Sequence, residues 1–310
     1  MMSDAENNPA SSSRLSLTIK DRLIRLGKRV LKFILVFYAL LIIALVLMET
    51  ALIYPAPKFP AGGNWNPVFT HENVEFTAAD GVNLHSWIIR SKSQRKIPRY
   101  VIYCHGNGEN VASAGGWSVL DIIEHLDANV MVFGYRGYGK SEGSPHEAGI
   151  KLDAERAIDV FCDEMGIKPS EVILVGHSLG GGVATHLAET RGCKALILQK
   201  TFSSLPDVAA SKYPIVPVRL LMRNRFNSAK AIQNYEGPLF QAHGEEDRVV
   251  PYRFGEKLFA KKPTNKLDRF VPLPGIGHND GFPQGYWQKV DKWLDKVETE
   301  LNATRIEGQE

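Results

Sequence analysis

The chain has 310 residues, of which 44% are hydrophobic and 23% charged, a composition typical of a globular protein rather than a disordered one. Its net charge of +3 is concentrated at the amino terminus, where residues 1–32 carry seven cationic and three acidic side chains and the remaining residues sum to about −1. Because the main part of the chain is not basic, we expect no nucleic-acid partner.

The first predicted element is an apolar helix. The run "FILVFYALLIIALVLM" at 33–48 is uncharged, and with "TALIY" after Glu49 it reaches the roughly 20 residues that cross a bilayer. A cleaved signal peptide, which has a shorter apolar core, and a buried core helix are the alternatives. We predict a transmembrane anchor over 30–54 and a basic cytoplasmic tail over 1–29. Because Lys and Arg precede the span, the rest of the chain is expected on the extracytoplasmic side.

Residues 55–72, which include "PAPKFPAGGNWNP", are predicted to form a linker. From residue 73, strand patterns alternate with helical ones, beginning with a hairpin that turns at Asp80-Gly81. The alternation predicts an α/β domain over 73–301, with a mostly parallel sheet of about eight strands and helices on both faces, and a polar tail over 302–310. Such sheets place their chemistry at the carboxyl ends of the strands.

One motif follows a β-branched strand and precedes a helix. Gly176-His177-Ser178-Leu179-Gly180 matches G-x-S-x-G, in which a tight turn from strand to helix exposes the serine. Side chains at 176 and 180 would collide with neighbouring backbone, so glycine is expected at both. The alternative is a glycine-rich turn with an incidental serine.

A serine hydroxyl becomes nucleophilic only beside a base that a third group orients. Asp247 follows the strand "PLFQA", and His278 follows the strand "DRFVPL", so both are expected at the same sheet edge as Ser178. Glu245, Glu246 and Asp280 are rivals in these loops, and each partner could instead be purely structural.

An oxyanion formed at this serine would need backbone donors. Leu179 N–H is one candidate, since it lies at a helix amino terminus. Asn107 N–H, in the loop "HGNGEN", is the other. Asn107 could instead cap the helix that follows.

The motifs "HGNGEN", "GYRGYGKSEG", "GHSLGGG", "HGEEDRVVP" and "GIGHND" occur in this order, and together they resemble the α/β-hydrolase family of serine hydrolases from about 73 to 300. The chain is most similar to the membrane-anchored subgroup that lacks a large cap domain and includes protein depalmitoylases. This resemblance implies an α/β-hydrolase fold preceded by one transmembrane helix, and ester or thioester hydrolysis with Ser178, Asp247 and His278 as triad. Those depalmitoylases attach to membranes through a cysteine-rich amino terminus, whereas this chain has no cysteine before Cys104.

A rival motif, "GYRGYGKS" at 134–141, formally matches a phosphate-binding P-loop. Gly143 and Pro145 follow at once, so no helix can point its amino terminus at a phosphate. We expect a loop bordering the site, fixed by Arg136, and no nucleotide partner. The cysteines and histidines show no ligand spacing, so neither a metal nor a cofactor is expected.

The stretch 201–236, where relatives insert a cap, is short and alternates basic with apolar residues. It could lean on an anionic membrane surface near the site, or pack on the sheet as an ordinary amphipathic helix. We therefore predict a membrane-anchored serine hydrolase of carboxylic esters or thioesters, whose substrate could be a lipid or an acylated protein. A peptidase or amidase with the same triad, and a non-catalytic membrane-tethered binding protein, are the alternatives.

Overall fold

The computed structural model describes residues 19–67, 69–92, 95 and 97–307. The chain divides between Met48 and Glu49 into two compact units. Residues 1–18, most of the predicted cytoplasmic tail, and 308–310, the end of the predicted polar tail, lie outside the described residues.

The first unit is one long helix, α1 (Ile19–Leu47). Its segment from Lys20 to Leu47 is apolar and long enough to cross a membrane, and the side chains of its most apolar stretch are not buried against other protein. The helix is therefore a candidate membrane span or signal sequence. It begins earlier than the predicted anchor and includes the residues from 19 to 29 that the sequence assigned to the tail.

The second unit, within the described residues, is built on one eight-stranded sheet in the order β1-β2-β4-β3-β5-β6-β7-β8. The first two strands form the predicted hairpin, β2 and β4 are also antiparallel, and all other pairs are parallel. The strands are β1 (Glu72–Thr77), β2 (Asn83–Ile89), β3 (Arg99–Cys104), β4 (Ala128–Phe133), β5 (Val172–His177), β6 (Ala195–Gln199), β7 (Leu239–Gly244) and β8 (Arg269–Leu273).

Helices cover both faces of this sheet because alternate strand residues point to opposite sides. Leu174 belongs to one apolar cluster with α5 and α6, whereas Ile173 and Val175 belong to the other with α4 and α11. The helices of the second unit are α2 (Glu49–Ile53), α3 (Val111–Ala114), α4 (Leu120–Leu126), α5 (Glu147–Met165), α6 (Leu179–Arg191), α7 (Leu205–Lys212), α8 (Val218–Leu221), α9 (Ser228–Ala231), α10 (Tyr252–Phe259) and α11 (Tyr286–Glu307).

The segment after α1 corrects two predicted boundaries. The carboxylate of Glu49 is buried and accepts hydrogen bonds from the backbone N–H groups of Arg223 (2.9 Å) and Asn224 (2.8 Å). Further along, Pro57 O accepts from Gly139 N at 2.9 Å. The predicted end of the anchor at residue 54 is therefore too late, and residues 55–67 are packed on the domain rather than forming a free linker. The segment packs on the domain because its polar groups form hydrogen bonds with groups of the domain instead of with water.

The loop with the P-loop pattern is held by an ion-pair network. The guanidinium of Arg136 contacts Asp80 and Asp153, each at 2.7 Å, and Asp153 is fully buried. Ser141 is also buried, and its hydroxyl donates to Gly134 O at 2.8 Å. The next helix, α5, begins only at Glu147, so the segment is a structural loop in which the Ser141 hydroxyl is already used.

Candidate active site

The turn between β5 and α6 places one serine in a strained backbone conformation. Ser178 has φ +52° and ψ −116°, a backbone conformation that residues other than glycine rarely adopt. A Cβ on Gly180 would overlap the carbonyl oxygen of Cys104 in β3, and a Cβ on Gly176 would overlap Gly180 O. Both glycines are therefore required by close backbone packing, which is the reason the sequence indicated.

Three distant loops bring Ser178, His278 and Asp247 into a continuous line of hydrogen bonds. The distance from His278 Nε2 to Ser178 Oγ is 2.9 Å, and from His278 Nδ1 to Asp247 Oδ2 it is 2.7 Å. All three residues are buried. The loops follow β5, β7 and β8, whose carboxyl ends share one edge of the sheet.

The rival acids have other positions. Asp280 Oδ2 accepts from Gly277 N at 2.7 Å and so shapes the loop that carries His278. Glu245 and Glu246 contribute backbone N–H groups, which donate to Leu273 O and Ile276 O, while their own side chains are exposed. Of the acids in these loops, Asp247 is the one whose carboxylate bonds to the imidazole.

The surroundings keep Asp247 charged and His278 neutral. Burial alone would raise the pKa of Asp247, but contacts with His243 and His278 and the N–H of Val250 outweigh it and hold that pKa well below its usual value. Burial lowers the pKa of His278, although Asp247 opposes this effect. A neutral imidazole beside a permanent carboxylate can accept a proton from the serine hydroxyl.

Two buried basic side chains beside these three residues, Lys200 and His243, were not predicted from the sequence. The ammonium of Lys200 donates to His278 O (3.2 Å) and Asp280 O (2.5 Å), and burial lowers its pKa. His243 Nε2 lies 2.8 Å from Val250 O and 3.4 Å from Asp247 Oδ2. Lys200 directly follows the predicted strand "ALILQ", and His243 lies near the end of the predicted strand "PLFQAHG"; these positions were the available signal.

The two predicted oxyanion donors lie on the elements the sequence assigned. Leu179 is the first residue of α6, so its N–H has no acceptor one turn earlier within the helix. Asn107 does not cap the next helix: Asn110 does, through bonds from Ala112 N (3.0 Å) and Ser113 N (3.1 Å). The side chain of Asn107 instead donates to Ile53 O at 3.1 Å.

The same loop carries an acid that the sequence did not single out. Glu109 accepts from Gly106 N at 2.5 Å, and its carboxylate lies 3.7 Å from His177 Nδ1. Burial alone would raise the pKa of Glu109, but His177 and the Gly106 N–H lower it to about 2. The His177 ring in turn stacks on His278, with 5.7 Å between the ring centroids. A fixed negative charge therefore lies close to the loop of Asn107.

Comparisons with known proteins agree with this fold. A family model described as alpha/beta hydrolase fold matches residues 100–226. An uncharacterized protein of Mycobacterium tuberculosis is 33% identical over 237 residues, which cover 76% of this chain and 81% of that protein. The chain belongs to the α/β-hydrolase family. The uncharacterized protein YfhR of Escherichia coli K12 is 30% identical over 267 residues, covering 83% of this chain and 90% of YfhR.

Solved structures of other proteins have the same architecture as this α/β hydrolase. The Pyrococcus furiosus esterase Pf2001 superposes with a TM-score of 0.62 at 22% identity, covering 78% of this chain and 98% of the esterase chain. The family resemblance and the fold predicted from sequence are thereby confirmed. The catalytic roles of Ser178, Asp247 and His278, and of Asn107 and Leu179, stay predictions supported by the geometry.

The described residues contain no group of three or more His, Cys, Asp or Glu side chains arranged to hold a metal ion. The histidines near the serine instead contact Asp247, Glu109 or backbone carbonyls. That the protein uses no metal or cofactor stays a prediction.

Proposed function

We propose that this α/β hydrolase is a membrane-anchored serine hydrolase that cleaves carboxylic esters or thioesters through an acyl-enzyme. The observation that carries the proposal is the relay from Ser178 Oγ through His278 to Asp247, at 2.9 Å and 2.7 Å. The positive φ of Ser178 supports it, because a structural serine has no need of a strained position.

In the proposed reaction, His278 Nε2 takes the proton from Ser178 Oγ while that oxygen attacks the substrate carbonyl. The backbone N–H groups of Leu179 and Asn107 hold the negative oxygen that forms. His278 then gives the proton to the leaving alcohol or thiol, and an acyl ester on Ser178 remains. A water attacks this ester with the same proton transfers, which releases the acid and restores the serine.

Asp247 serves His278 in two ways. Its Oδ2 accepts the hydrogen bond from Nδ1 and so keeps Nε2 free to accept the serine proton. Its negative charge also stabilises the imidazolium that forms in each half-reaction. The N–H groups of Val249 (2.9 Å) and Val250 (2.7 Å) hold Oδ1 and fix the carboxylate orientation.

The segment between β6 and β7 is short, which favours substrates with long or bulky acyl groups. Between β6 and β7 the helices α7, α8 and α9 have only eight, four and four residues. Such short helices do not make the large cap that encloses a small substrate.

The test of the chemistry is labelling with a fluorophosphonate, which reacts with an activated serine. The wild-type protein should label, Ser178→Ala should not, and Ser170→Ala, which changes an exposed serine, should label like wild type. A wild-type protein that folds but never labels would favour a binding protein. Rates on matched esters, thioesters and amides of the same acyl group then separate an esterase from a peptidase or amidase.

The proposed orientation has its own test. With the amino terminus in the cytoplasm, protease added outside intact cells stripped of any outer wall should digest the domain that starts at Glu49. Digestion only after the membrane is opened would place the domain on the cytoplasmic side.

A further inference from the structure

Exposed apolar side chains are not scattered evenly over the second unit. Among its described residues, eight large apolar side chains are exposed. Five of these lie on three chain segments that are joined by hydrogen bonds. Ile215 is 74% exposed and Leu220 is 83% exposed. We name the five the apolar rim: Leu52, Tyr213, Ile215, Leu220 and Val249.

One end of the rim touches the loop of the proposed oxyanion donor. Leu52 lies on α2, whose last residue, Ile53, accepts through its carbonyl the bond from the Asn107 side chain at 3.1 Å. The first residue of the same helix, Glu49, bonds to the backbone N–H groups of Arg223 and Asn224, just after α8 and Leu220. The short helix thus joins the oxyanion loop to the segment that carries Leu220.

The other end of the rim touches the loop of the proposed acid. Lys212, beside Tyr213, donates through its ammonium to the carbonyl oxygen of Arg248. The next residue, Val249, donates its N–H to Asp247 Oδ1 at 2.9 Å. The rim therefore runs from the loop of Asn107, the proposed oxyanion donor, to the loop of Asp247, the proposed acid.

The segment 205–225, which carries Tyr213, Ile215 and Leu220, is basic, with four cations against one acid. Five cations lie on or beside the rim; Arg219 pairs with the buried Asp207 and Arg223 with the buried Glu49, each at 3.2 Å, and the exposed Glu245 and Glu246 precede Arg248 in its loop. The cations are Lys212, Arg219, Arg223, Arg225 and Arg248. A surface that combines exposed apolar side chains with Lys and Arg matches the chemistry of an anionic lipid surface.

The covalent chain limits how far the rim can lie from a membrane. Leu52 follows Leu47, the last residue of α1, by five residues, so the two can be separated by no more than about 18 Å. If α1 crosses the bilayer, only four residues of sequence separate the end of that helix from Leu52. A soluble protein would have no such link to the membrane.

We infer that the apolar rim docks on an anionic bilayer surface and that the substrate is an acyl ester or thioester embedded in that bilayer. The acyl carbonyl then enters the cleft of Ser178 from the lipid side without passing through water. The inference rests on the proposed function, since it names where the ester or thioester comes from.

The experiment compares two substrates with the full chain in nanodiscs that contain phosphatidylglycerol. One substrate is a water-soluble short-chain nitrophenyl ester, and the other is a fluorogenic lipid ester embedded in the nanodisc. The rim variants are Ile215→Asp and Leu220→Asp, and the matched controls are Ile97→Asp and Leu301→Asp, which change exposed apolar residues at the groove beside Pro238, at the other edge of the sheet.

The rate of each rim variant on the embedded ester should fall about ten-fold or more, because an aspartate cannot replace the contact that an aliphatic side chain makes with lipid. Its rate on the soluble ester should stay within about two-fold of wild type, and the controls should change neither rate. Equal losses on both substrates, or no loss on the embedded one, would overturn the inference. A wild-type protein inactive on both esters would refute the proposed function instead.

A second measurement tests docking without relying on catalysis. Leu220→Cys and Ile97→Cys are labelled with a fluorophore in nanodiscs that carry lipid-attached quenchers. We expect quenching at position 220 and little at position 97. Absence of quenching at 220 would overturn docking on lipid, and so would a change at 220 that appears only as protein concentration rises, which would indicate a contact between two copies.

Discussion

Replacing Glu49 by alanine should destabilise the second unit, although the sequence assigns this residue to a membrane anchor. Its Oε1 accepts from Arg223 N, from Asn224 N and from Asn224 Nδ2, at 2.9, 2.8 and 3.0 Å. Alanine would leave the buried backbone N–H of Asn224 and the partly buried one of Arg223 without an acceptor, at about 1–3 kcal/mol each, or about 2–6 kcal/mol in total. Since 1 kcal/mol lowers Tm by roughly 2–4 °C in a domain of this size, Tm should fall by roughly 4–24 °C.

Thermal unfolding of the full chain in detergent measures this effect. Glu49→Gln keeps one carbonyl oxygen as acceptor and should lose less, and Glu124→Ala, at an exposed position of α4, should unfold like wild type. Burial alone would raise the pKa of Glu49, but the bonds from Asn224 and Arg223 outweigh it and lower that pKa. The difference between wild type and Glu49→Ala should therefore shrink as pH falls through the lowered pKa. An unchanged Tm at neutral pH would refute the packing of this segment on the domain.

Four further predictions concern the candidate site. Burial lowers the pKa of His278, so kcat/KM on a soluble ester should fall in acid with a midpoint below 6.5, and a midpoint above 6.5 would contradict this expectation. Asp247→Asn should reduce kcat by about 10⁴-fold. Gly180→Ala should cost about 3 kcal/mol or more because its Cβ overlaps backbone of β3, whereas Gly281→Ala, which meets nothing within 4 Å, should unfold at the wild-type temperature. Lys200→Met should lower kcat by up to about 100-fold with little change in KM, since the ammonium fixes the loop of His278; an unchanged kcat would show that this loop needs no such support.

The sequence alone determined the parts of the site that depend on neighbouring residues. The turn at Ser178 needs glycine at 176 and 180 because strand and helix meet within five residues, and that constraint is legible in "GHSLG". The alternation of strands and helices likewise predicted the parallel sheet, and with it the edge where Asp247 and His278 would lie.

Only the tertiary structure decided which buried polar groups are partners, because those contacts join residues far apart in the chain. Glu49 looked like the end of an anchor from its apolar neighbours, yet its partners are 174 and 175 residues away. Lys200 likewise reaches the carbonyl of His278 across 78 residues. A sequence pattern records the preference of each segment for apolar or polar surroundings, whereas the pairing of a buried charge depends on which distant loop packs against it.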